Sequence, residues 1–175
     1  MRALPALACL AAWLGSGPTL AQTAADTVWE APRSGRWTVK AIRVGPDGPA
    51  QCLMSNIGQG SGVAYAIAPG EVQRLVLQNA QWRIPAGTQA AIHLQVDRHG
   101  VWEVTAKRSP TASDTIFVDA RFDADARRLL EQIRQGKWLH IVFPSGEHYQ
   151  VSLEGSRLAA RYLLECHARY GKASF

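Results

Sequence analysis

Trp138-Leu139-His140-Ile141-Val142-Phe143-Pro144-Ser145-Gly146-Glu147-His148-Tyr149-Gln150-Val151-Ser152 carries the clearest fold signal in the chain. Leu139, Ile141 and Phe143 alternate with Trp138, His140 and Val142; beyond the turn, Tyr149, Val151 and Leu153 alternate with His148, Gln150 and Ser152. A period of two marks a strand with one buried face. If Pro144-Ser145-Gly146 is the loop, Phe143 pairs with Glu147, Ile141 with Tyr149 and Leu139 with Val151. Gly146 then takes the left-handed position of a type I turn with a bulge. A loop one residue longer would pair Ile141 with Gln150 and mix the faces, so the pattern selects its own register. His140 then lies opposite Gln150 and His148 opposite Val142, both on the outer face with Trp138.

Upstream, the same kind of signal recurs between turn residues. Alternating runs are predicted as strands at Arg36 to Val44, Gln51 to Met54, Val63 to Ala68, Val72 to Leu77, Ala91 to Asp97, Val101 to Lys107 and Thr115 to Val118. Gly45-Pro46-Asp47-Gly48-Pro49 is a strong turn signal. Two stretches switch to helical spacing. One runs from about Ala124 to Gln135, with Asp123 to cap it, Gly136 to stop it, and a stripe of Phe122, Ala126, Leu129, Leu130 and Ile133. The other follows Gly155 with Ser156 as its cap and turns Leu158, Ala159, Tyr162, Leu163 and Cys166 to one side. On its exposed side Arg161, Glu165 and Arg169 stand four apart, a spacing at which opposite charges pair. The expected fold is mainly β: an antiparallel β-sandwich or half-open barrel of about nine strands, with two packed helices. Residues 36–175 form the single β-rich domain, and 22–35 read as a polar, flexible N-terminal arm.

The first 21 residues read as a signal peptide. Arg2 precedes an apolar run from Ala3 to Leu14, and Thr19-Leu20-Ala21 supplies a small-residue cleavage site before Gln22. The run is shorter than the ~20 residues a membrane-spanning helix needs. Ala6-Leu7-Ala8-Cys9 offers a competing lipid-attachment reading, although Cys9 stands very early and leucine is one place off. Export to the periplasm or beyond is therefore expected. No later segment is long and apolar enough to cross a membrane as a helix.

Without the leader roughly 150 residues remain, enough for one domain with one core. Removing Arg2 lowers the formal net charge of +5 by one. That mild excess is compatible with anionic surfaces or acidic partners, but it has no concentrated Lys/Arg block; a solvated surface is the plain reading, and no nucleic-acid partner is predicted. Two cysteines survive, Cys52 and Cys166. In an oxidising compartment an isolated pair favours a disulfide. The alternatives are two buried thiols, or a Cys166 nucleophile beside His167, whose neighbouring position on a helix does not face it.

Residue types that carry chemistry are present but scattered. His140 and His148 are diagonal neighbours that could share a metal, yet no third ligand is visible for a site that usually wants three or four. Gly58-Gln59-Gly60-Ser61-Gly62 lacks the Gly-Lys-Ser/Thr ending of a phosphate loop and precedes a strand pattern. Asp97-Arg98-His99-Gly100 reads as a hairpin turn, with Gly100 supplying positive φ. Ser61, Ser145 and Ser156 have no nucleophile context, and Asp114 and Asp119 merely bracket a strand. No catalytic residue, metal or cofactor is assigned. Trp29, Trp37, Trp82, Trp102 and Trp138 are a rich aromatic supply, mostly for the core; Trp138, His140 and His148 are the candidate partner-binding patch.

The order of these parts resembles the invasion-associated locus B family of exported bacterial proteins. The resemblance rests on a leader, Gly35-Arg36-Trp37-Thr38-Val39, Cys52-Leu53-Met54, Ile84-Pro85-Ala86-Gly87, a strand ending in Val96-Asp97, and a helix ending in Gly136. It closes on Val151-Ser152-Leu153-Glu154-Gly155-Ser156-Arg157-Leu158-Ala159. The family typically has a cysteine soon after the tryptophan and another pair mid-chain; this chain has neither, and carries Cys166 in its last helix instead. The resemblance implies a secreted or envelope-associated β-sandwich with a host-interaction role, and it transfers no catalytic residue. Together these readings favour a non-enzymatic exported binding protein for an unknown protein or envelope component. A periplasmic inhibitor or immunity protein is one alternative, and a carbohydrate-binding module or hydrolase another.

Overall fold

A computed structural model describes residues 25–44, 48–121 and 123–171. The leader with Cys9, the turn at Gly45-Pro46-Asp47, and Phe122 of the predicted helical stripe lie outside the described residues. In chain order the strands are β1 (Ala25–Glu30), β2 (Thr38–Val44), β3 (Gln51–Gly58), β4 (Ser61–Ala68), β5 (Val72–Asn79), β6 (Gln89–Val96), β7 (Trp102–Arg108) and β8 (Thr115–Arg121). Helix α1 (Ala124–Gln135), strands β9 (Trp138–Val142) and β10 (His148–Ser152), and helix α2 (Ser156–Tyr170) complete the fold. All ten strands join one antiparallel sheet in the order β1-β2-β3-β4-β5-β8-β7-β6-β9-β10, which does not close between β1 and β10. The chain is mainly β with two helices.

One apolar face runs through the whole sheet. Cross-strand rows such as Val39–Met54–Tyr65–Leu75–Val118 and Val104–Ile92 place their side chains on the same side. Leu94–Ile141–Tyr149 and Val96–Leu139–Val151 continue it into β9 and β10. So large a face can be hidden only if the sheet curls and helices fill the opening. The curl is visible in bonds between distant strands. Asn56 Nδ2 on β3 donates to Ser152 O on β10 over 3.1 Å, and Trp37 Nε1 donates to Glu154 O over 3.0 Å. Trp82 meets Phe143 and Tyr149 edge to face, with centroids 5.4 and 5.1 Å away.

The helices complete the core. Asp123 caps α1 through a bond from Ala126 N, and Ala126, Leu129, Leu130 and Ile133 are buried, as the spacing predicts. Gly136 ends this helix as the sequence predicts, without a left-handed turn. Its φ is −77°, but a Cβ there would come within 2.3 Å of Val96 Cγ1, so the site needs close approach. Before α2 the left-handed residue is Gly155, at φ 87° with Ser34 O against it. Ser156 is not the cap that the sequence suggests. It is the first helical residue, and its buried hydroxyl donates to Ile133 O over 2.6 Å, tying α2 to the end of α1.

Ten strands stand where the alternation predicts about nine. The additional one, β1, comes from the segment read as an arm and pairs with β2 across a bulge. It is an edge strand exposed at four of its six positions, so burial imposes little alternation on its sequence. On α2, Arg161 and Arg169 lie over the Tyr162 and Tyr170 rings, and among the described residues neither forms an ion pair with Glu165.

Cys52 on β3 and Cys166 on α2 form a disulfide, with Cα atoms 5.9 Å apart and the residues 114 positions apart in sequence. Both are fully buried. Removing the bridge by Cys52→Ala/Cys166→Ala in the chain from Gln22 onward is expected to cost about 4 to 5 kcal/mol in denaturant unfolding, the chain-entropy value for such a loop. Thiol titration of the unreduced protein should find no reactive sulfhydryl. Two per chain would refute the pairing.

Tyr65 provides a second expectation. Its hydroxyl donates to Gln73 Oε1 inside the core and approaches Ala126 O of α1 at 3.3 Å. Burial, and then the Asp123 carboxylate, hold the phenol protonated well above its ordinary range. Ionisation therefore favours the unfolded chain, where the phenol titrates at about 10. Stability should fall as pH rises past that value, and Tyr65→Phe should flatten the decline in a pH series of unfolding midpoints.

Candidate functional site

The predicted hairpin register is the observed one. Ile141 faces Tyr149, Leu139 faces Val151, His140 faces Gln150 and His148 faces Val142. Phe143 N donates to Glu147 O and Gly146 N to Phe143 O, each over 2.9 Å, with Gly146 at φ 85°. Leu139 and Ile141 are buried, which commits Trp138, His140 and Val142 to the opposite face. Trp138 is 44% exposed. By contrast Trp37 and Trp82 are buried, while Trp29 and Trp102 are half-buried against the core. Trp102 also has a polar use, donating to Gln132 Oε1 of α1 over 2.7 Å.

His140 and His148 do meet. Nδ1 of the first lies 3.1 Å from Nε2 of the second, with ring planes 5° apart and centroids 5.3 Å apart. The centroid separation is close to the nitrogen–nitrogen distance plus two ring radii, so the rings lie edge to edge. One nitrogen donates and the other accepts, according to tautomer. His93, which the sequence reading does not single out, lies across from Val142 on the other side and is exposed. Among the described residues no group of three or more His, Cys, Asp or Glu side chains is placed to hold a metal ion.

Trp138 stands on a built support. The turn after β6 puts Asp97 at φ 47°, taking the left-handed role expected of Gly100. An aspartate tolerates this conformation better than most side chains. Its carboxylate accepts the backbone N–H groups of Lys137 and Trp138 at 3.0 and 2.9 Å, while Asp97 N donates to Trp138 O. The residue that could be mistaken for a catalytic acid is thus a clamp on the first turnout of β9. The other scattered carboxylates are also engaged. Gln78 and Thr115 hydrogen-bond Asp114 and lower its pKa, and Asp119 takes Arg74 Nε at 2.6 Å. Gly58 to Gly62 forms the tight β3–β4 hairpin.

Beside Trp138 opens a recess that sequence spacing does not reveal. It has a volume of about 600 Å³ and is bounded by the end of α1, the start of β9 and the start of α2. Its size falls in the range of small-ligand sites. Arg134, Lys137 and Arg157 line it with Trp138 and Glu154. These cations come from α1, from the connection between α1 and β9, and from α2, so no run of basic residues announces them. Arg134 is held by Glu131, whose pKa is lowered first by that guanidinium and also by the charge of Arg157.

No protein-family model matches the chain, and no curated protein matches it. Among solved structures, the chain is similar to the crystal structure of invasion associated protein B from Bartonella henselae. The TM-score is 0.53 at 18% identity, over 81% of this chain and 98% of that one. This likeness shows a shared fold and agrees with the distant resemblance in the motifs.

Two substitutions separate support from surface. Asp97→Ala should destabilise by about 1 to 2 kcal/mol, the lower part of the range for charge-assisted bonds because the group is half exposed. Trp138→Ala should stay within ~0.5 kcal/mol of the parent, as a surface change does. Thermal unfolding of both variants checks this; a loss of several kcal/mol in Trp138→Ala would make that ring part of the core.

Proposed function

We propose that this chain is an exported bacterial binding protein that acts without covalent chemistry, in the periplasm or outside the cell. The partner is a protein or envelope component, and the contact surface is the outer face of β9 and β10 around Trp138, His140 and His148. The observation that carries the reading is Trp138 itself. A large aromatic held in the open by the Asp97 clamp has the character of an interface anchor, because it buries much area at little entropic cost. The leader supports export, and the fold likeness to an invasion-associated protein is consistent with a role at a cell surface.

Pull-down with the tagged, exported protein from intact cells tests the reading. Trp138→Ala should reduce capture of a specific partner, whereas Val72→Ala, at a similarly exposed apolar position on β5 (42% against 44%), should not. Periplasmic or secreted material should begin at or near Gln22 by mass spectrometry. Turnover of a substrate, abolished by one side-chain change without unfolding, would overturn the non-enzymatic reading.

A further inference from the structure

We infer that the recess beside Trp138 is a binding site for an anionic polysaccharide, one bearing carboxylate or sulfate groups on its sugar rings. The inference rests on reading Trp138 as a contact residue and assigns the ligand class at that surface. A second recess of about 310 Å³ adjoins the first: Arg134 and Arg157 line both, and Leu158 and Arg161 complete the second. The two form a continuous track from Trp138 past Lys137, Arg134 and Arg157 to Arg161. Arg157 and Arg161 are four apart on α2, which places them on one face a turn apart.

The charge balance along this track is positive. Its cations are Lys137, Arg134, Arg157 and Arg161; its carboxylates are Glu131 and Glu154, with the Asp97 carboxylate on the Lys137 and Trp138 backbone at one end, so cations exceed carboxylates by one. Arg134 is committed to Glu131. Among the described residues no ion pair engages Lys137, Arg157 or Arg161, and all three are exposed. Gly155 gives α2 no side-chain cap, which adds a fixed partial positive charge at the recess wall.

A single small anion would need one cluster of donors, not an elongated track with an aromatic ring at its end. A charged glycan uses both parts. An apolar sugar face lies on the exposed indole, and the acidic substituents reach the guanidinium and ammonium groups. An acidic peptide also matches the charge, but its flexible backbone loses more conformational freedom on binding than a chain of pyranose rings.

Calorimetric titration of the purified chain from Gln22 onward with a heparin octasaccharide, at physiological salt, tests the site. The expected result is saturable binding that Arg157→Glu/Arg161→Glu weakens by about tenfold or more. Trp138→Ala should weaken it severalfold, whereas Lys107→Glu/Arg121→Glu, an equal charge change at exposed positions outside the track, should have a much smaller effect. The track variants sit at exposed positions, and unchanged unfolding midpoints confirm that they fold. No saturable binding, or equal sensitivity to both charge reversals, overturns the site. Polyglutamate of matched charge binding as tightly as the octasaccharide, without dependence on Trp138, overturns the ligand class. Trp138-dependent capture in cells without octasaccharide binding would overturn this inference alone. Octasaccharide binding that ignores Trp138 would overturn the part played by the aromatic surface.

Discussion

The structure depends on the need to hide one apolar face of an unusually wide sheet. Ten antiparallel strands in a single layer present a row of valine, leucine, isoleucine and aromatic side chains far too extensive to leave in water. Curling brings β10 within hydrogen-bonding reach of β3, and the helices fill what the curl leaves open. The remaining gap between β1 and β10 is bridged from the side. Ser34 and Trp37 bond to the carbonyls of Gly155 and Glu154, and Cys166 fastens α2 to β3. These contacts link segments more than a hundred residues apart, so the two ends of the chain stabilise each other.

The same constraint determines what faces outward. Because Leu139 and Ile141 are committed to the core, Trp138 and His140 have no inward option. The helix ends are similarly fixed. The tight approach of Gly136 to Val96 and the Ser156 bond to Ile133 O set the end of α1 against the start of α2. Arg134, Lys137 and Arg157 are thereby brought to one recess. Packing requirements place the support, and the exposed cationic and aromatic groups are what the support carries.

Strand alternation and helix spacing made most of this architecture legible. The β9–β10 hairpin could be paired residue by residue, since one-sided burial leaves only one register that keeps Ile141 and Tyr149 together. Helix α1 was readable from its cap and stripe. Edge strand β1 was not, because its exposed positions are under little pressure to alternate. The roles of Asp97 and Ser156 were also hidden: each depends on a backbone group brought near by tertiary folding, Lys137 and Trp138 in one case and Ile133 in the other. For the same reason the local sequence showed Trp138 and the two histidines but not the basic recess, whose cations meet only when the end of α1 and its connection to β9 pack against the start of α2.

The central claim is that the clamped surface around Trp138, with the basic recess beside it, is the place where this protein meets an anionic polysaccharide. Amide and indole shift changes in the isotopically labelled chain, followed while a heparin octasaccharide is titrated in, test it most directly. The account predicts that perturbations concentrate at Lys137, the Trp138 indole N–H, Arg157 and Arg161, with the Asp97 clamp intact and the Cys52 region unmoved. Shifts centred instead on the Gly58–Gly62 hairpin or the β1 edge, with Trp138 silent, would contradict it.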